Sequence, residues 1–150
     1  MGELLTFGGE AAFVGLLLAA AVIDGRSFRL PNWLTASLAL AFVPWAAAGA
    51  GDPSFYLWHA SCGAALFLVC GWAFSRGLMG GGDAKLLAAC ALWTGWAELA
   101  RFLLTTGMAG GVLALAVLTL RPPEAHGRLP YGIAIAAGGL DFWLRRSALL

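Results

Sequence analysis

Six apolar stretches run through this chain, roughly Leu4 to Ile23, Trp33 to Ala50, Phe55 to Phe74, Ala84 to Trp96, Leu99 to Leu120 and Tyr131 to Leu144. A helix that crosses a bilayer needs about 20 such residues, so six crossings use about 120 of the 150 positions and leave no room for a second domain. Composition agrees: 61% of the residues are hydrophobic and 11% charged, against about 25% charged in a soluble domain. None of the stretches alternates polar with apolar residues as a barrel strand does, so the crossings are expected to be helices. The expected fold is therefore all-α, a polytopic membrane protein of about six transmembrane helices forming a single membrane-embedded domain over residues 1–150.

Several function classes fall away at once. The net charge is +1 and no basic cluster exists to neutralise phosphates, which argues against nucleic acid as a partner. The three cysteines, Cys62, Cys70 and Cys90, lie inside apolar runs and form no C-x-x-C pair. Small buried thiols are expected rather than a zinc site or a disulfide framework, and no metal or other cofactor is implied. His59 and His126 have no ligand-like spacing to a partner and read as incidental. Met1 to Glu10 holds no Lys or Arg, so the first apolar stretch reads as a retained span and not as a secretory signal. The tryptophans, including Trp33, Trp58, Trp93, Trp96 and Trp143, fall mainly near span ends and suggest an interfacial belt.

The loops carry turn formers: DGRSFRLPN (Asp24 to Asn32), GDPS (Gly51 to Ser54), SRGLMGGGD (Ser75 to Asp83), a corner at Glu98, and RPPEAHGRLP (Arg121 to Pro130). Arg26 and Arg29 lie in the first, Arg76 in the third with Lys85 just beyond, and Arg121 and Arg128 in the fifth. By the positive-inside rule these odd loops face the cytoplasm and the N terminus lies outside. Six spans then put Arg145 and Arg146 outside as well, against the rule; a re-entrant fourth segment with five crossings would return them to the cytoplasm. Asp24, Asp83 and Glu124 sort to the cytoplasmic face, Glu3, Asp52, Glu98 and Asp141 to the other. Asp141 is spaced to pair with Arg145 on one helix face, and Glu10 faces a neighbouring span or the headgroups.

Only Asp24 and Asp83 of the cytoplasmic acids stand at span boundaries. Two close carboxylates cannot both ionise cheaply and share a proton, so that one can activate water while the other polarises a peptide carbonyl. A structural reading exists beside this one. Aspartate is a favoured N-cap and Asp83 stands before a helical run, while Asp24 could mark the end of the first span. The surroundings favour chemistry: Gly80, Gly81 and Gly82 remove side chains from the approach to Asp83, permit positive φ and let an extended peptide lie against the loop. After Asp24 and Gly25, Pro31 biases Leu30 to an extended form and Asn32 can cap the second span.

The three patterns D-G-R-S-F-R-L-P-N, M-G-G-G-D-A-K-L-L (Met79 to Leu87) and L-P-Y-G-I-A (Leu129 to Ala134), in this order, resemble the type IV prepilin peptidase family, membrane aspartic proteases of the G-x-G-D kind. The resemblance runs over essentially the whole chain. It implies that Asp24 and Asp83 are the catalytic pair, with Gly80 and Gly82 forming the G-x-G approach. Lys85 matches the lysine that follows that motif and either holds the loop, tunes the acid electrostatically or snorkels to headgroups. Pro31 and Asn32 match the first motif, and Pro130, Tyr131 and Gly132 the last, where they start a helix and line the site.

Longer members of the family carry an N-terminal cytoplasmic domain with paired C-x-x-C motifs linked to N-methylation. These 150 residues have no such pair, and the chain is similar to the short peptidases of Flp or tight-adherence pili, with no methyltransferase activity implied. The resemblance implies removal of a short basic leader from a single-span prepilin at the cytoplasmic face of the inner membrane. A substrate already in the bilayer is confined to two dimensions and one depth, so a small enzyme can position it. Gly107, Gly110, Gly111, Gly138 and Gly139 offer close helix packing, to that substrate or within the protein itself. Competing readings are a preflagellin peptidase of the same chemistry, and a small transporter or scaffold subunit using Asp24 and Asp83 as proton-relay or ion-pair groups. The oligomeric state is not legible in the sequence.

Overall fold

A computed structural model describes residues 2–49, 52–120 and 129–148. Five helices follow in order: α1 (Gly2–Ser27), α2 (Asn32–Gly49), α3 (Pro53–Ser75), α4 (Gly81–Leu120) and α5 (Tyr131–Ala148). No strand occurs among the described residues. By length and composition α1, α3 and α4 suffice to cross a membrane, and α2 is a shorter apolar helix. The chain is an all-α, multi-pass membrane protein. Large side chains such as Leu4, Phe7, Leu40, Leu57, Leu68 and Val112 point outward, as they do where the solvent is hydrocarbon.

The expected fourth and fifth segments are two arms of α4, and the division is not at Glu98. It falls at Gly95, whose φ of 60° and ψ of −176° break the helix. That conformation is essentially confined to glycine, because a Cβ would collide with the neighbouring peptide groups. Glu98 lies beyond it, inside the second arm. The chain reverses here. In a straight helix Gly110 would stand about 40 Å from Asp83, yet Tyr131 packs on Gly110 while the next residue, Gly132, bonds to Asp24 in the cavity that Asp83 also lines.

His59 braces the break. Its Nδ1 donates to the Leu92 carbonyl at 2.7 Å, three residues before the break. The ring stands where a Cβ on Gly95 would be and packs on Phe42 and Phe55. This histidine, incidental by sequence, is part of the fold.

Phe13 and Leu17 of α1, Leu38, Phe42 and Trp45 of α2, Trp93 of α4 and Phe142 of α5 build the core. Trp93 is only 2% exposed and donates Nε1–H to the Leu38 carbonyl at 3.0 Å. The expected tryptophan belt therefore needs correction: Trp93 and Trp45 are core residues, whereas Trp33, Trp58, Trp72 and Trp96 are exposed. Trp93 goes inward where the Leu38 carbonyl takes its N–H, and Trp45 packs its ring on Trp93 and Phe42. The three cysteines are free and buried.

Both described termini lie at one end of the bundle. There Arg145 bonds Glu98 at 2.6 Å and Asp141 at 2.9 Å, and Arg146 lies 3.8 Å from Glu10 and over the Trp45 ring. The two arginines that contradicted the loop-charge count are thus held by acids from three helices. With α4 counted as two arms, the described helices make six passes of the bundle and so return the two described termini to the same end. At the same end Asp52 caps α3, accepting from the Ser54 N–H at 3.0 Å and the Ser54 hydroxyl at 2.7 Å; these bonds hold its carboxyl below the usual range. Glu124, His126, Arg121 and Arg128 lie outside the described residues.

Candidate active site

The opposite end of the bundle holds a cavity of about 870 Å³ lined by Asp24 and Asp83, together with Phe28 to Leu30, Gly77 to Gly82 and Leu129. Three chain reversals build it. The first α-helix does not stop at Asp24, as expected, but continues to Ser27, so Asp24 stands on its last turns and faces inward. The Phe28 N–H bonds the Asp24 carbonyl at 2.8 Å, and Phe28 takes φ 52°, the left-handed conformation that ends helices. Arg29 and Leu30 are thereby turned along the cavity wall.

The second reversal ends α3. Leu78 N–H bonds the Ala73 carbonyl and Gly77 N–H the Phe74 carbonyl, with Gly77 at φ 72°. This paired arrangement is the Schellman motif, in which glycine is favoured for its lack of a Cβ. The serine-arginine-glycine string at 75–77 was the sequence signal for it. Residues 78–80 then pass along the cavity, and the Gly80 carbonyl accepts the Ala84 N–H as α4 begins.

Asp83 is consequently in the first turn of α4 and is not its N-cap. The glycine run also works differently from expectation. Among the described residues the positive-φ glycines are Gly77 and Gly95, so Gly80, Gly81 and Gly82 are not needed for a left-handed turn. They are needed for space: a Cβ would stand 2.8 Å from Asp83 Oδ2 at Gly80, 3.1 Å from the Phe74 ring at Gly81, and 2.9 Å from Leu30 Cβ at Gly82.

The third reversal leads into α5. Tyr131 N–H bonds the Leu129 carbonyl, and Ile133 N–H the carbonyl of the buried Pro130. Gly132 then donates its N–H to Asp24 Oδ2 at 2.7 Å. A Cβ at Gly132 would lie 2.8 Å from the same oxygen. Asp24, only 4% exposed, is thus fixed by backbone, while Asp83 is half-buried on the wall of the same cavity.

The structure brings Asp24, Asp83, Gly80 and Gly82 to one cavity and Gly132 against Asp24. Pro31, Asn32, Lys85, Pro130 and Tyr131 are not among its lining residues. Lys85 Nζ donates to Asn32 Oδ1 at 2.7 Å, tying the start of α2 to the start of α4, so the Asn32 carboxamide oxygen serves Lys85. Tyr131 fills the space left by Gly110. Phe28, Arg29 and Leu129, which lie inside the quoted motifs without a role assigned to them, and Gly77, which lies outside them, also line the cavity. No group of three or more potential metal ligands occurs among the described residues.

Residues 11–115 match the model of the type IV leader peptidase family. The chain is 32% identical over 145 residues to a prepilin leader peptidase/N-methyltransferase of Pectobacterium carotovorum, covering 88% of this chain and 49% of that protein. It is 33% identical over 143 residues to the protein of that name from Bacillus subtilis, covering 92% and 56%, and 34% identical over 158 residues to that from Burkholderia pseudomallei, covering 92% and 48%. The chain spans about half the length of these curated relatives. No solved structure matches it significantly.

Proposed function

The chain belongs to the type IV leader peptidase family, and on that premise we propose that Asp24 and Asp83 form an aspartic dyad that removes the leader of Flp-type prepilins at the cytoplasmic face of the inner membrane. The observation that carries the proposal is the shared cavity: two carboxylates from distant helices line it, one of them fixed by the Gly132 N–H.

In the proposed reaction the pair holds one proton. The ionised carboxylate takes a proton from a water as its oxygen attacks the scissile carbonyl carbon, and the protonated partner gives its proton to the carbonyl oxygen. The resulting gem-diol collapses as the C–N bond breaks. Its proton returns to the dyad, and the newly protonated carboxyl delivers one to the leaving amine. Gly80 to Gly82 supply a wall free of side chains on which an extended peptide backbone can lie. Methyl transfer, the second activity in the relatives' names, is not assigned to these residues, which contain no C-x-x-C pair.

Charge supports the sidedness. Arg26, Arg29, Arg76 and Lys85 cluster toward the cavity end, while Arg145 and Arg146 at the far end are occupied by Glu98, Asp141 and Glu10. Co-expression with a Flp-type prepilin tests the reading. Leader removal seen on a gel is expected with the wild-type chain, and a membrane-inserted protein that leaves both this prepilin and a preflagellin uncut would refute it.

A further inference from the structure

A second concavity, of about 530 Å³, lies between α2, α3 and the first arm of α4, separate from the carboxylate cavity. α2 and α3 both pack on α4, but they meet each other through aromatic rings at the far end, Phe42 on His59 and Trp45 on Phe55. Toward the Asp83 end they part and leave a groove open to the bilayer.

The groove runs from Asn32 to Ala39 on α2, from Ala60 to Phe67 on α3 and from Lys85 to Leu92 on α4. Each of these stretches rises about 10 Å, a third of a hydrocarbon core about 30 Å thick. A membrane-spanning helix would leave most of its length unmatched. One leaflet is half that core, about 15 Å, so the groove matches about two thirds of one acyl chain. The walls are almost wholly apolar, and the polar groups gather at the foot, where α2 and α4 begin. There Lys85 is exposed and bonds Asn32. An ammonium carries three protons, so this bond leaves donors for an anion at headgroup depth.

We infer that the α2–α3–α4 groove binds an anionic phospholipid, one acyl chain lying along the alanine-lined walls and the phosphate on the Lys85 ammonium at the foot. Apolar walls alone would accept any lipid. The cation at the foot selects a headgroup with net negative charge, as basic pockets between transmembrane helices do. The lipid then fills the gap between α2 and α3 beside the Asn32–Lys85 tie. This site stands on the membrane fold and does not depend on the proposed peptidase chemistry.

The test uses the full chain in nanodiscs doped with phosphatidylglycerol bearing a photoactivatable diazirine on its acyl chain, with adducts mapped by mass spectrometry. Adducts are expected to concentrate on the facing surfaces of α2, α3 and α4. They should fall about fivefold in Lys85→Gln, the worth of one lysine near an anionic headgroup, and persist in Lys85→Arg. Ala64→Phe, which fills the groove and leaves Lys85 in place, should abolish them. If Lys85→Gln does not fold, Ala64→Phe and the wild-type comparison of phosphatidylglycerol with phosphatidylcholine decide. Equal labelling by the phosphatidylcholine probe, or adducts spread evenly over the α4–α5 surface, would overturn the site. Displacement of the adducts by a prepilin transmembrane helix would overturn it in favour of a polypeptide occupant.

Discussion

Gly132 N–H and Asp24 Oδ2 meet at 2.7 Å across 108 positions of sequence, joining the first helix to the last at the wall of the carboxylate cavity. No side chain larger than hydrogen fits at Gly132, since a Cβ would stand 2.8 Å from that oxygen and 3.0 Å from the Asp24 Cβ and Cγ. Gly132→Ala is therefore expected to displace the carboxylate and lower leader cleavage about 100-fold, the scale of a 1 Å misplacement. The protein should remain inserted. Cleavage rate against membrane-fraction yield checks this, and an unimpaired rate would mean that the Gly132 contact does not position the reacting group.

Gly80 tests the glycine approach separately. A Cβ there would press on Asp83 Oδ2, the movable end of a side chain, so the carboxylate can turn away at little cost to folding. Gly80→Ala is expected to lower kcat/KM about 10- to 100-fold with an unchanged melting temperature. Gly71→Ala, where a Cβ meets nothing within 4 Å, is the matched control and should cleave normally.

The break in α4 makes a prediction about stability. Gly95→Ala forces a side chain into a conformation that costs about 1–3 kcal/mol and also strikes the His59 ring. His59→Ala leaves the Leu92 carbonyl without its 2.7 Å donor, for a loss of about 1–3 kcal/mol. Thermal unfolding in detergent should show both variants destabilised, Gly95→Ala the more. A stable Gly95→Ala protein would show that the two arms do not require this reversal.

The tie between Lys85 and Asn32 is exposed, and an exposed charged contact is worth about 0.2–1 kcal/mol. Lys85→Ala, Asn32→Ala and the double variant should give a coupling energy in that range. A coupling near zero would indicate that the two side chains act independently.

How far the fold could be read from sequence depended on which force set each feature. Spans were legible because burial in hydrocarbon demands long apolar runs, and the Asp141–Arg145 pair because i,i+4 spacing fixes it on one face. Gly95 was not, because a glycine amid apolar residues carries no mark of the φ it adopts, and the charge at Glu98 drew the boundary three residues too far. His59 and Trp93 were missed for a related reason. Each serves a backbone carbonyl on another helix, Leu92 and Leu38, and sequence does not say which carbonyls lie near. At the site, motif order singled out Asp24 and Asp83, but that Gly132 would touch Asp24, and that the glycine run supplies clearance and not turning, depended on tertiary packing.

The central claim is that Asp24 and Asp83 act as one unit, and the residual cleavage rates of Asp24→Asn, Asp83→Asn and the double variant test it most directly. Groups that share one proton cannot contribute separately, so effects on the rate do not multiply. Each single variant, inserted and folded, is expected to cleave a Flp-type prepilin no faster than the double variant. Either single variant cleaving at the wild-type rate, or two partial losses that multiply in the double variant, would contradict the account.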